Sequence, residues 1–248
     1  MIVVENVHKR YGEQIVLDGI SLKIPKGTVT SIIGRSGGGK SVLLKHLIGL
    51  ERPDKGTIVI DGENLVDMSA THLNRMRRRF GVLFQEGALF DSLTVSENVA
   101  FPVREHTSLS EKEIQELVTA RLAAVGLSHH AEKLPAQISG GMRKRVGLAR
   151  ALALDPEIVF FDEPTTGLDP IIRSAIYALL VRTHHERSIT YVVVSHDIEG
   201  VFHISDEIMM LWDGRIVARG TAEEMRNNPD PIVQQFITGS LEGPIHAE

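Results

Sequence analysis

Gly34-Arg35-Ser36-Gly37-Gly38-Gly39-Lys40-Ser41 is the stretch whose reading decides the fold. It fits G-x-x-x-x-G-K-[ST], in which glycines let backbone N–H groups point inward around phosphates. A lysine then reaches the outer phosphates and a hydroxyl serves the accompanying magnesium ion. The chemistry needs a strand before the loop and a helix after it. Residues 28–33 form a β-branched run entered through the Pro25-Lys26-Gly27 turn, which reads as a buried strand. Residues 40–50 have helical apolar spacing, and the positive end of that helix adds to an anion site.

Working outward, residues 2–7, 15–16 and 20–24 read as short strands of alternating polarity. Asp54-Lys55-Gly56, residues 57–60 and Asp61-Gly62 read as turn, strand and turn. From about 85 to 155 the pattern is helical. Ser110 and Glu113 form a capping box, residues Ile114, Leu117, Val118, Leu122 and Val125 share a face, and Gly126 stops the helix. A helix resumes after Ser139 and runs toward Leu154, where Asp155-Pro156 ends it. Residues 158–161 are purely apolar, as a central parallel strand requires, and lead into Asp162. Asp169 before Pro170 is an N-cap followed by proline at the first helical position, opening a helix to about Arg187. Residues 189–194 make a second buried strand ending at Ser195-His196; a hairpin around Asp213-Gly214 and a helix capped by Thr221 and Glu224 follow. Residues 229–248 are expected to be a loosely specified extension.

Several side chains then fall where ligands gather, at the ends of strands in a parallel sheet. Asp162 can hold Mg²⁺ through a water, and Glu163 beside it can polarise an attacking water. Gln85, after Val82-Leu83-Phe84, can reach Mg²⁺ or that water through its amide, and His196 can donate to a γ-phosphate oxygen. Tyr11 is an early aromatic able to stack on adenine. Taken singly, Gln85 reads rather as a surface residue, His196 as a satisfied histidine at a strand end and Tyr11 as a core residue. His129-His130 and His184-His185 are adjacent pairs without the i, i+4 spacing of a helical zinc site. Arg75 with Arg77-Arg78-Arg79, and Arg143-Lys144-Arg145, read as solvated charge.

The chain has 248 residues, 42% of them hydrophobic, with 24% charged and a net charge of −5. That balance fits a globular protein and argues against a general nucleic-acid binder. There is no cysteine, so no disulfide framework exists. The first residues lack the basic start and apolar run of a signal peptide, and no apolar stretch nears the ~20 residues that span a bilayer. Any membrane part is expected to come from another chain.

In this order the motifs resemble those of ATP-binding cassette (ABC) ATPases over nearly the whole chain. Tyr11 matches the aromatic loop, residues 34–41 the Walker A loop, and Gln85 the Q-loop. Ile138-Ser139-Gly140-Gly141-Met142 matches the signature, residues 158–163 Walker B, Gly167-Leu168-Asp169 the D-loop, and His196 the switch histidine. The signature departs from the usual Leu-Ser-Gly-Gly-Gln at Ile138 and Met142 and keeps Ser139, Gly140 and Gly141. The resemblance implies an α/β fold: a P-loop ATPase with a parallel-sheet core, an N-terminal antiparallel β subdomain and an inserted α-helical subdomain. Its implied limits are 1–84 with 156–238 for the core, 85–155 for the helical signature subdomain and 239–248 for a C-terminal tail. It further implies ATP and Mg²⁺ as cofactors, bound by Tyr11, Gly34, Ser36, Gly37, Gly38, Gly39, Lys40 and Ser41, with Ser41, Gln85 and Asp162 toward the metal. Glu163, His196, Gln85 and Lys40 are the implied catalytic set. Ser139, Gly140, Gly141 and Asp169 are expected to close on ATP held by a second copy of the chain, as the family's head-to-tail dimers do.

Finer similarity points to the ATPases of bacterial Mla-type phospholipid transporters, partners of MCE (mammalian cell entry) proteins. It rests on Leu83-Phe84-Gln85-Glu86-Gly87-Ala88-Leu89-Phe90, residues 98–107, Met142, Asn228-Pro229-Asp230-Pro231 and Gln235-Phe236. The implied setting is the cytoplasmic face of the bacterial inner membrane, with an integral-membrane permease, an MCE-domain periplasmic protein and a small cytoplasmic regulatory subunit. A small-solute importer and a cell-division-type regulatory ATPase are the alternatives, and the tail after Gly239 is expected to touch the second copy.

Overall fold

The computed structural model describes residues 1–245. It opens with β1 (Ile2–Tyr11), β2 (Gln14–Ile24), β3 (Val29–Ile33), α1 (Lys40–Leu47), β4 (Lys55–Ile60), β5 (Glu63–Asn64) and α2 (Ala70–Arg77). Next come β6 (Phe80–Leu83), α3 (Val95–His106), α4 (Glu111–Ala124), α5 (Gly140–Ala151), β7 (Ile158–Asp162) and α6 (Pro170–Arg187). The chain continues through β8 (Thr190–Val194), α7 (Ile198–Ile204), β9 (Glu207–Trp212), β10 (Arg215–Gly220), α8 (Ala222–Arg226) and α9 (Pro231–Thr238). These elements divide into two compact units, Met1–Leu73 with the chain from Thr190 on, and Asn74–Ile189.

In the first unit β2, β1, β4 and β5 form an antiparallel sheet in that order. The two short strands expected at 15–16 and 20–24 are one strand, β2, which keeps pairing with β1 through register shifts. A second sheet places β3 between β8 and β9, parallel to both, with β10 closing an antiparallel hairpin on β9. Every residue of β3 and β8 is buried, which is why both read as continuous apolar or β-branched runs. Ile33, Val201, Ile208, Met210, Met225 and Val233 pack as one core cluster under this sheet.

That cluster reaches α9, so the extension expected from residue 229 on contains an ordered helix. Its start repeats the Asp169-Pro170 device: Asp230 accepts from Ile232 N–H at 2.8 Å, Pro231 takes the first helical position, and Gly239 ends the helix in the left-handed region. Buried Gln235 then holds the segment beyond it, donating to Ile245 C=O at 2.9 Å and accepting from Ile245 N–H at 2.6 Å. Residues 246–248 of the expected tail lie outside the described residues.

The second unit pairs β6 and β7 in parallel, with Phe80 edge-on to Phe160 at 5.4 Å. It takes in these strands and α6 together with the helical stretch, because α5 packs closely on β6: a Cβ on Gly147 would meet Leu83 Cδ1 at 2.6 Å. The capping box at Ser110 and Glu113 forms, and a second one, at Thr94 and Glu97, opens α3. Asp155 ties α4 to α6 by pairing with Arg121 at 2.7 Å and with Arg187. Arg79, expected to be solvated with its neighbours, instead makes a bidentate pair with Glu157 at 2.8 and 2.9 Å, because β6 and β7 bring the two together.

Candidate functional site: a phosphate loop and an acidic strand end

The phosphate loop leaves β3 at Ile33 and enters α1 at Lys40. Two glycines in it cannot be replaced without moving backbone. A Cβ on Gly34 would stand 2.2 Å from Leu211 C=O, and Gly39 takes φ 95° with Val16 C=O 2.9 Å from where its Cβ would be. The loop therefore threads between β2 and β9 at a width only glycine allows. Lys40 is buried and points back into the loop, its Nζ donating to Gly34 C=O at 2.9 Å and Arg35 C=O at 3.0 Å. Arg35 stands over the Trp212 ring at 5.6 Å. Ser41 is half-buried in the first turn of α1. Gly37, Gly38 and Ser36 form the more open part of the loop.

The same unit carries Tyr11 and His196. Tyr11 ends β1 and is 46% exposed, with Lys9 Nζ 5.3 Å from its ring centroid. Its hydroxyl donates to the Glu51 carboxylate at 2.6 Å; that bond raises the tyrosine pKa and holds Glu51 below the ordinary carboxylate range. His196 is exposed just past β8, after fully buried Ser195.

The second unit carries the acidic strand end. Asp162 is the last residue of β7 and half-buried, and Glu163 after it is buried with φ 53°. Thr166 Oγ1 donates to Glu163 Oε2 at 3.0 Å. Asp169 caps α6 by accepting from Ile171 and Ile172 N–H at 3.1 and 3.0 Å. Ser139 caps α5, its hydroxyl accepting from Met142 N–H at 3.2 Å, so the signature triplet forms the N-terminal turn of a helix, with Ser139 exposed, Gly140 half-buried and Gly141 buried. Gln85 is exposed beyond β6.

One sequence expectation fails here. Lys144 is not solvated: it is 6% exposed and donates to Glu163 C=O at 3.0 Å and Thr166 C=O at 2.8 Å. Arg143 donates to Ile138 C=O at 3.2 Å. Helical spacing carried the missed signal, since Lys144 lies at i+3 from Gly141, i−4 from Leu148 and i−7 from Ala151, all buried. Arg150 was likewise missed. Its guanidinium donates to Gly87 and Ala88 C=O, both at 2.8 Å, and burial pushes its pKa down.

The profile of the ABC transporter family matches residues 17–166, from within β2 through the phosphate loop, the α5 N-terminus and the acidic strand end. The chain belongs to the ABC transporter family. Among curated relatives, the cassette is 42% identical over 99% of its length to the intermembrane phospholipid transport system ATP-binding protein MlaF of Haemophilus influenzae, covering 93% of that protein. It is 44% identical over 98% of its length to the probable ribonucleotide transport ATP-binding protein mkl of Mycobacterium tuberculosis, covering 68% of that protein. Among solved structures, the cassette matches the dimeric, ADP- and phosphate-bound post-hydrolysis state of the ATP-binding cassette MJ0796. The TM-score there is 0.83 at 34% identity, over 90% of this chain and 99% of that one.

Among the described residues no helix of the cassette is long and apolar enough to cross a membrane, and no cluster of His, Cys, Asp and Glu forms a metal cage. The candidate donors are the Ser41 hydroxyl in the first unit and the Asp162 carboxylate and Gln85 amide in the second, each a hard oxygen donor of the kind Mg²⁺ takes.

Proposed function

We propose that this chain is the ATP-binding and hydrolysing subunit of a transporter that moves phospholipid between the inner and outer membranes. One observation carries the reading: Lys40 is buried inside a glycine loop between β3 and α1, in a chain similar to MlaF along nearly its whole length. In this reading Lys40 and the loop N–H groups from Gly34 to Ser41, Ser36 included, hold the phosphates, and Tyr11 stacks on adenine. Ser41, Asp162 and Gln85 would hold a magnesium ion, which would neutralise charge on the phosphates. Glu163 polarises water, and His196 orients the γ-phosphate.

Two copies act together. Ser139, Gly140, Gly141 and Asp169 of one close on the nucleotide of the other, and loss of the γ-phosphate releases them. The core (1–84 and 156–238), the helical signature subdomain (85–155) and the tail (239–248) divide the work. The helical subdomain receives the permease in a groove of about 360 Å³ lined by Phe84, Phe90, Phe101, Pro102, Arg150 and Leu154. The Phe90 and Phe101 rings meet there at 4.7 Å, tilted by 53°, while 45% and 39% exposed, an apolar pair that fits a cytoplasmic helix of a membrane protein. An MCE-domain protein, a small regulatory subunit and a seat on the cytoplasmic face of the inner membrane complete the assignment.

The test is a tagged pull-down from gently solubilised membranes, with co-purifying proteins and lipids identified by mass spectrometry. A polytopic permease with an MCE protein and bound phospholipid is expected. A permease without lipid enrichment overturns the cargo and moves the reading toward the solute transport named for mkl. Mixed dimers of Lys40→Ala and Ser139→Ala chains are expected to retain at most one intact site, and full activity per dimer overturns the shared site.

A further inference from the structure

Glu163 holds its carboxylate on a backbone that does not rest there unaided. Its φ of 53° is left-handed, a region that side chains other than Gly, Asn and Asp seldom adopt. Surrounding bonds must hold it. Within the turn, Thr166 donates its hydroxyl to Glu163 Oε2 at 3.0 Å and its N–H to Glu163 C=O at 3.4 Å. From outside the turn comes the Lys144 ammonium, which bridges Glu163 C=O and Thr166 C=O.

An ammonium is a costly group to bury. Burial pushes the Lys144 pKa down, while the Glu86 and Glu163 carboxylates pull the other way. An apolar side chain of equal length would fill the same space without that penalty. What it could not do is donate charge-assisted hydrogen bonds to both carbonyls at once. The bridge joins the turn after β7 to α5, the helix whose N-terminal turn is the signature Ser139-Gly140-Gly141.

We propose that Lys144 is a positioning residue for ATP hydrolysis, fixing the Glu163–Thr166 turn to the signature helix and thereby setting the aim of the Glu163 carboxylate. The proposal rests on the reading of Glu163 as the group that polarises water. It predicts that rigid movement of α5 carries Glu163 with it, so signature engagement and carboxylate aim change together. Lys40 and the phosphate loop are not part of this linkage, and ATP binding is expected to be independent of it.

The experiment uses the full chain with its co-purifying membrane partners. Lys144→Met and Lys144→Gln are each made alone and on a Glu163→Gln background. Turnover, KM, equilibrium binding of ATP and the melting temperature are measured for all. Lys144→Met is expected to lower kcat by about 10- to 100-fold, the scale of a small misplacement of a reacting group. KM and ATP affinity should stay within about two-fold, and Lys144→Gln, which keeps amide donors, should recover part of the loss. On the Glu163→Gln background Lys144→Met should add less than about two-fold in single-turnover rate, because both changes act through one group.

Undiminished kcat in Lys144→Met overturns the proposal. So does a full loss added on top of Glu163→Gln, or a loss that follows melting temperature and is not relieved by Lys144→Gln. Normal turnover in Glu163→Gln alone instead removes the underlying role of Glu163, and that result is read independently of any Lys144 variant.

Discussion

The phosphate loop and the acidic strand end show two ways of holding a demanding backbone. In the loop, the lysine that reaches into the bend sits six residues from the carbonyl it contacts, and the glycines that permit the bend are in the same stretch. At the strand end, Glu163 adopts left-handed backbone without being glycine, and the cation that steadies it comes from a helix nineteen residues earlier. The first is a local solution readable as a motif. The second is assembled by tertiary packing, and its key residue sits in a basic run that looks solvated. A loop made permissive by glycine tolerates little substitution within itself, whereas a strained turn made stable from outside is vulnerable at a distance.

Changing Glu163 and Lys40 should give the largest effects and sharpen the contrast most. Glu163→Gln is expected to bind ATP normally but lose on the order of 10²–10⁴-fold in turnover. Lys40→Ala should instead lose ATP binding itself, measured by equilibrium titration. If both variants failed in binding, the division between a holding loop and a reacting strand end would collapse. Next in size is Gly39→Ala. A side chain at φ 95° and 2.9 Å from Val16 C=O should cost about 1–3 kcal/mol, with lower ATP affinity and melting temperature. A variant as stable and as tight as the parent would show that the loop does not need glycine there.

Ser110→Ala removes an N-cap that belongs to neither region and serves as the measure of an ordinary local loss. About 1 kcal/mol is expected, or roughly 2–4 °C in melting temperature, with unchanged turnover. The smallest effect should come from pH. In α1, after the phosphate loop, His46 is 1% exposed, with Nδ1 3.0 Å from Glu51 C=O and Nε2 lacking a hydrogen-bond partner among the described residues. Burial lowers its pKa below the ordinary value near 6.5, so the folded chain takes up this proton less readily than the unfolded one. Its contribution to stability is therefore full above about pH 6.5 and is lost as pH falls toward the folded value. Melting temperature should drop between about pH 7.5 and pH 5.5, and His46→Leu should flatten that drop. An unchanged slope in the variant would assign the acid sensitivity to other groups.

Much of the fold was legible because its decisive patterns are short. The β3–loop–α1 unit, the apolar run ending at Asp162, the Ser110 box and the Asp169-Pro170 cap all depend on residues within a few positions of one another. The ordered α9 was overlooked although Asp230-Pro231 repeats a signal accepted at Asp169-Pro170; short length and flanking prolines hid it. The joining of two short strands into β2 followed from pairing with β1, which no local window contains. Lys144, Arg150 and Arg79 were misread or missed because a cation beside other cations looks solvated until the carbonyls or carboxylate it serves are brought near.

By itself, then, the sequence determined the strand, glycine loop and helix of a phosphate-loop motif, since its glycines, lysine and hydroxyl residue lie within eight adjacent positions. It also determined the caps that start α4, α6 and α8, which are bonds across a few positions. Only the tertiary structure decided what steadies Glu163, where Arg150 anchors the segment after Gln85, and that Arg79 of a basic run pairs with Glu157. Those are contacts between residues distant in the chain, formed only when packed helices and strands bring a buried charge and a strained backbone within hydrogen-bonding reach.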